Sequence, residues 1–454
     1  MFDIIVIGAG SAGYSCAIRS AQLGKKVLLV EKDQVGGTCL NKGCIPTKTL
    51  LHGAELFAHQ KQFDELGLSG TITADPMQMQ SRKEAVVAQL RSGIETLIAA
   101  NAITLVRGNA RIADAHTVMI DDEKREGHVL VVATGSSVSA IPIEGIEHAY
   151  SSDDILQFGD KLFDDVCMIG GGVIGIEFAC LYQQLGKQVT ILEGQERLLT
   201  TFDKEISQNL TMILKRRKAV IQTNALVRKI AKVKDQYEVT YDVKGEPKTL
   251  LTSAVILAAG RHANGVDSDI PLVYDGRRIQ VNANYQTSVP SIYAIGDAAS
   301  KVQLAHLASH QGTTLADHLF QDHPLSEALI PMCVYTSPEI ACVGLQETEA
   351  KEKDISVITG KYSMLGNGKT IIAGQDRGFV KIVADAKTRQ VLGAQLMCDR
   401  ASDMISQFTQ AIAAGLTVDQ LQHVIYPHPS FSEGMNEAVW DVDQMAIHVM
   451  PRKK

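Results

Sequence analysis

The chain contains the same short pattern twice, and this constrains its fold more than any other feature. "FDIIVIGAGSAG" opens the sequence, followed by "LGKKVLLVE" at Leu23–Glu31. "DVCMIGGGVIG" begins at Asp165, followed by "LGKQVTILE" at Leu185–Glu193. Gly8, Gly10 and Gly13 map onto Gly170, Gly172 and Gly175, and Glu31 maps onto Glu193, all at one offset of 162 residues. Each copy reads strand, glycine turn, amphipathic helix, strand, acid. A lone G-x-G-x-x-G is a weak signal, but in this context it predicts a dinucleotide-binding βαβ unit. The first glycine makes the tight turn, the second lets backbone approach a pyrophosphate, and the third lets helix pack on strand. The helix N-terminus then offers free N–H groups to phosphate. The acid at the second strand tip accepts from a ribose hydroxyl. A carboxylate there repels a 2′-phosphate, so Glu193 favours NAD over NADP, while nearby Arg197 argues the other way. Two such units in one chain suggest electron transfer between two bound cofactors.

At 454 residues the chain has room for about three domains of roughly 150 residues. A net charge of −7, with no basic stripe, argues against a nucleic-acid partner. The only basic cluster, Arg452-Lys453-Lys454, reads as a solvated tail. "MFDIIVIGAG" runs straight into a strand pattern without a charged leader, and no apolar run has membrane-spanning length. The expectation is therefore a cytoplasmic protein without a membrane partner, whose eight cysteines are mostly free thiols. Cys16, Cys167, Cys180, Cys333, Cys342 and Cys398 stand among apolar neighbours and read as buried small hydrophobes.

Cys39 and Cys44 are different. They lie in "GGTCLNKGCIPTKTLL", with glycines before them and an apolar helical run behind. On a regular helix they would stand about 140° apart, so a bond between them requires an irregular segment, for which Gly43 supplies the freedom. Pro46 suits a first helical turn, so a helix is predicted to start near Ile45 with Cys44 at its N-terminus, where the dipole favours thiolate. A metal site would need a second ligand pair, and only the solitary His52 is near, so no metal is expected. A structural staple around so short a loop does not suit a reducing compartment. Redox chemistry is the better reading. Lys48 lies one turn after Cys44 on the same face.

"GGTCLNKGCIPTK" resembles the redox-active signature of the pyridine nucleotide–disulfide oxidoreductases. The likeness runs over essentially the whole chain and is greatest to the members that oxidise dihydrolipoamide. It implies an α/β fold with two Rossmann-like dinucleotide-binding domains and a C-terminal α+β dimerisation domain. It also implies that the first fingerprint binds FAD, with Gly37 and Thr38 beside it, and that the second binds NAD. Cys44 would face the flavin and Cys39 would exchange with substrate. Lys48 would pair with Glu177, in "GGGVIGIE", near the flavin's reactive nitrogen. "VLVVATGSS", with Gly135, would close the first FAD segment, and "AVILAAGRHAN", with Gly260, would repeat the pattern where the NAD domain ends. Ala263 stands where the family usually has proline. "SIYAIGDAA" resembles the second FAD motif, with Asp297 on the ribityl hydroxyls, and Ala305 matches a position beside the flavin. Leu307, Ser309 and His310 stand where a lysine and acids are usual, which puts local charge near the flavin in question.

In "YPHPSFSEGMNEAV", His428 lies between two prolines with Glu433 five residues on, a good arrangement for an oriented general base. The stretch resembles the family's H-P-T-x-S-E. By that resemblance His428 moves substrate protons, Glu433 orients its ring, and the pair serves the other subunit of a homodimer. The expected division is residues 1–145 (FAD, first part), 146–263 (NAD), 264–325 (FAD, second part) and 326–454 (dimerisation). The expected partner is a lipoyl-bearing protein of a 2-oxo acid, acetoin or glycine-cleavage complex. The alternatives are another NAD(P)H-dependent disulfide reductase of the family, or a non-catalytic flavin redox-sensing or scaffold module.

Overall fold

The computed structural model describes residues 1–157, 162–375 and 377–450, so Arg452-Lys453-Lys454 lies outside the described residues. Phe2–Ile7 forms the middle of the first sheet. It pairs in parallel with Val27–Glu31 on one side and Glu123–Val132 on the other. Thr104–Arg107 and Ile292–Ala294 extend the parallel set at either end. A parallel sheet is covered on both faces, so its strands are continuous apolar runs. Alternation divides them between two cores. Ile4, Val6, Val27, Leu29 and Val131 face one way with Ala12 and Cys16 of the helix Ser11–Gln22. Ile5, Ile7, Leu28, Val30, Leu130 and Val132 face the other.

The second fingerprint repeats the arrangement. Asp165–Ile169 pairs in parallel with Gln188–Glu193 and Ala254–Leu257, and Val220–Thr223 and Tyr150–Ser151 complete the sheet. An antiparallel meander, Ala225–Val233, Gln236–Val243 and Glu246–Thr252, packs on one face through Val227, Ile230 and Val239.

Beyond Pro331 the architecture becomes α+β. Five antiparallel strands, Met332–Val334, Ile340–Gly344, Val391–Met397, Phe379–Asp385 and Val357–Ser363, carry the helices Ala401–Ala413 and Glu433–Asp441. Buried Lys381 ties this sheet to the second unit through Asp203 at 3.3 Å, and it also lies 3.2 Å from Glu347 of its own part of the chain. A short ribbon, Ser136–Val138 against Arg261–Ala263, pairs the residues that leave the first parallel sheet with those that leave the second. It brings the C-terminal ends of both parallel sheets to one cleft, the side on which open α/β sheets bind ligands.

The cysteine segment is irregular at the glycine expected to supply the freedom, and only there. Gly37–Lys42 is helical, and a new helix, Cys44–Ala58, follows with the single residue Gly43 between them. The break is confined to Gly43 (φ −147°, ψ −108°), enough to redirect the axis so that Cys39 and Cys44 face each other.

Candidate active site

The two glycine turns match closely. Gly8 and Gly170 take φ of +102° and +110°, open to glycine at little cost. A Cβ on Gly13 or Gly175 would strike the carbonyl oxygen of Gly8 or Gly170, so these positions let the helix sit directly on its strand. The helices Ser11–Gln22 and Val173–Gln184 start from Gly10 and Gly172 with no side-chain cap, leaving their first N–H groups free for an anion. The strand-tip acids close each turn. Glu31 accepts from the Ala9 amide at 2.7 Å, and Glu193 accepts from the Gly171 amide at 2.5 Å. Arg197 is turned away from this tip. Its guanidinium donates to the carbonyls of Leu199, Thr200 and Phe202 and to Ser207 Oγ, so it is committed to its own loop.

One cleft of about 2140 Å³ is lined by both turns, by Glu31 and Glu193, and by Gly37, Thr38, Cys39, Cys44 and Lys48. Ligand pockets typically measure roughly 300–1,000 Å³, so this space suits more than one ligand. Cys39 and Cys44 are joined as a disulfide, with Cα atoms 4.7 Å apart. Cys44 is the first residue of its helix, where backbone N–H groups favour a thiolate once the bond opens.

Lys48 Nζ lies 2.6 Å from Glu177 Oε2, a pair contributed by helices 129 residues apart in sequence. Glu177 is buried, and its other oxygen accepts from the Tyr335 amide at 3.1 Å. The Tyr335 ring takes the Lys48 ammonium at 4.7 Å from its centroid. Lys48 thus keeps a fixed positive charge in the cleft beside the cysteines.

Gly135, Gly260, Asp297 and Ala305 also line the cleft. Burial raises the Asp297 carboxyl, and Ser136 and Arg261 partly offset it. Ser136 Oγ donates to Asp297 at 2.6 Å. Sequence reading passed over Arg261. Its guanidinium donates to the Ser136 hydroxyl and carbonyl and to Thr38 Oγ1, so one cation links the ribbon, the Asp297 carboxylate and the residue before Cys39. Its place after Gly260 at a strand exit was the available signal. Leu307, Ser309 and His310 do not line the cleft, so these departures from the family pattern fall outside it, whereas Ala305, His306 and Ala308 do line it. Ala263 lies buried in the ribbon.

Among the single cysteines, Cys16, Cys167, Cys180, Cys342 and Cys398 are buried, as expected. Cys333 departs from that expectation: it is half-buried and lines the cleft. Burial, followed by the Glu339 carboxylate, pushes its thiol up to about 12, which keeps it protonated. Its strand is short and ends at the cleft, so alternation could not decide its exposure.

His428 Nδ1 lies 2.7 Å from Glu433 Oε1, and Glu433 Oε2 accepts from the Ser430 amide at 2.7 Å. Burial pushes the Glu433 carboxyl up, but the Ser430 amide and the His428 ring outweigh it and hold it low. An ionised carboxylate only accepts, so it keeps the proton on Nδ1 and leaves the Nε2 lone pair able to take one. Neither residue lines the cleft of its own chain, and His428 is 78% exposed. Among the described residues, no cluster of His, Cys, Asp and Glu could hold a metal, and no helix is long and apolar enough to cross a membrane.

Residues 2–312 match the family model described as pyridine nucleotide-disulphide oxidoreductase, and residues 330–439 match the dimerisation domain of the same family. A dihydrolipoyl dehydrogenase from Bacillus subtilis strain 168 is 36% identical, with 98% of this chain and 99% of that protein aligned. One from Thermus scotoductus is 34% identical over 99% of each chain. Among solved structures, the HOCl-induced flavoprotein disulfide reductase RclA from Escherichia coli superposes with a TM-score of 0.87 at 28% identity, covering 96% of this chain and 99% of that one. FAD and NAD(H) are the family's cofactors, and the two free helix N-termini above one large cleft suit them. Its disulfide opens on a cleft lined by two dinucleotide turns, and the chain belongs to the pyridine nucleotide-disulphide oxidoreductase family as a flavoprotein disulfide oxidoreductase.

Proposed function

We propose that the protein oxidises dihydrolipoamide, carried on a lipoyl-bearing partner, and reduces NAD⁺ to NADH. The observation that carries this reading is the Cys39–Cys44 disulfide, which opens onto the cleft holding both glycine turns. Full-length likeness to proteins named dihydrolipoyl dehydrogenase supports the choice of substrate. In this reading Gly8, Gly10, Gly13, Glu31, Gly37, Thr38, Lys48, Gly135, Asp297 and Ala305 hold FAD. Gly170, Gly172, Gly175, Glu193 and Gly260 hold NAD. The residue division 1–145, 146–263, 264–325 and 326–454 goes with it, supported by Ile292–Ala294 joining the sheet of the first segment. The cytoplasm, where NAD and lipoyl complexes meet, is the proposed setting.

His428 Nε2 takes a proton from the substrate dithiol. The thiolate attacks Cys39 Sγ, and Cys44 leaves as thiolate at its helix N-terminus, where backbone dipoles and the Lys48 charge stabilise it. When bound, FAD supplies the two-electron link between the cysteine pair and NAD⁺. Glu177 holds Lys48 in place. The working unit is a homodimer, supported by the dimerisation-domain match and by the exposed Ile425 next to the His428 segment. His428 of one subunit would serve the cysteines of the other. The test is turnover of the FAD-loaded protein with dihydrolipoamide and NAD⁺, followed as NADH absorbance. Rapid NADH formation is expected. Reduction of some other disulfide by NADH, with dihydrolipoamide untouched, would overturn the substrate assignment and leave the disulfide chemistry standing.

A further inference from the structure

Glu437 lies one helical turn after Glu433 on Glu433–Asp441, about 6 Å along the axis and on the same face. It holds a second histidine as Glu433 holds His428. His448 Nδ1 is 2.9 Å from Glu437 Oε1, and the His448 amide donates to Glu437 Oε2 at 2.9 Å. The two dyads share one design: an imidazole bound through Nδ1, with the carboxylate's second oxygen fixed by a backbone N–H. Glu437 is buried whereas the His448 side chain is 68% exposed. Since the carboxylate only accepts, Nδ1 carries the proton and Nε2 points its lone pair outward, as at His428. His448 is also close enough to Glu433 for its charge to act on that carboxylate. Exposed apolar side chains lie near both histidines in the chain, Ile425 (94%) three residues before His428 and Ile447 (81%) directly before His448. No recognised element of the reaction uses His448.

We propose that His448 is a second general base of the same site, and that it takes the second proton of the substrate dithiol. This rests on the proposed dihydrolipoamide reaction and on His428 facing the partner's cysteines. A dithiol loses two protons as its ring closes. The first goes to His428 Nε2, and that thiolate forms a bond to Cys39 Sγ as the Cys39–Cys44 bond breaks and Cys44 leaves as thiolate. The second goes to His448 Nε2. The second thiolate then attacks the substrate sulfur of the mixed disulfide, and Cys39 leaves as thiolate. The sum is one cyclic disulfide, two cysteine thiolates and two imidazolium ions. Two electrons have passed to the enzyme disulfide and two protons to the histidines.

The experiment compares His448→Ala and His448→Asn in the FAD-loaded dimer. Asparagine keeps an N–H for Glu437 but is no base. Both are expected to lower kcat with dihydrolipoamide by about 100-fold, the lower end for loss of a general base, while NADH-driven reduction of an artificial acceptor stays native because no thiol proton moves. Added imidazole should restore part of the rate to His448→Ala. Native dihydrolipoamide turnover in either variant would overturn the proposal, His448→Asn at native rate marking the bond to Glu437 as merely structural. Should His448→Ala lose acceptor reduction through misfolding, His448→Asn alone decides. Wild-type protein inert toward dihydrolipoamide is a separate result that sinks the substrate reading, and this proposal with it, before any variant is compared.

Discussion

At the scale of single residues, two side chains bear on the choice between NAD⁺ and NADP⁺. Glu193 Oε2 sits on the Gly171 amide, where a ribose hydroxyl of the second dinucleotide would approach, and Arg197 is bound to carbonyls of its own loop. A 2′-phosphate would meet a carboxylate with no free cation from Arg197 to offset it. We therefore expect kcat/KM for NAD⁺ to exceed that for NADP⁺ by about a hundredfold or more, several kcal/mol, as repulsion and a lost charge-assisted hydrogen bond imply. Equal values would mean that Arg197 leaves its loop to bind phosphate. The cysteines give a second expectation. Cys39→Ser and Cys44→Ser should each abolish dihydrolipoamide oxidation, since either removes the disulfide. Both should still bind FAD and reduce an artificial acceptor with NADH, a route that bypasses the disulfide. A serine variant turning over dihydrolipoamide at near-native rate would rule out the pair as the redox group.

At the scale of elements, the helix Cys44–Ala58 ends near an acidic group. Asp399 follows the strand Val391–Met397, and burial first, then Glu55 of that helix and Glu339, push its carboxyl up to about 6. A folded pKa above the unfolded one stabilises the fold only while the group is protonated. That contribution is whole below about pH 3.9 and is lost as pH rises through about 6. A gap of about 2 units corresponds to at most ~3 kcal/mol. Asp399→Asn should therefore melt higher than wild type at pH 8, with the two curves converging near pH 4. A wild type more stable than the variant at pH 8 would show that Asp399 has a favourable charged partner instead.

At the scale of the whole molecule, the proposed mechanism needs two chains. The cysteines face the cleft while His428 and Glu433 lie on another surface of the same subunit. We expect His428→Gln and Cys44→Ser, each nearly inactive alone, to recover activity when unfolded and refolded together. In a mixed dimer, one site combines both defects and the other combines native Cys44 with native His428. Absence of recovery in samples shown to contain mixed dimers would place His428 in its own subunit's site or outside catalysis.

Features coded by neighbours in the chain were legible in the sequence. The two glycine turns, their acids, the apolar strands around them and the cysteine pair all lie in short segments where backbone geometry and period dictate the outcome. Gly13 is needed because the helix crosses its own strand there, and that requirement is local. The His428–Glu433 pair was legible for the same reason, with only five residues between ring and carboxylate in sequence. The tertiary structure decided what strand order brings together. Lys48 meets Glu177 across 129 residues, a pair named beforehand only through the family resemblance, Arg261 reaches Thr38 across 223, and His448 folds back on Glu437 after the helix has ended. It also decided that Cys333 would face the cleft and that Arg197 would turn from it. Periodicity reports which face of an element is buried. Which partner buries it depends on how sheets and helices stack, a property of the whole chain's packing that no local window contains.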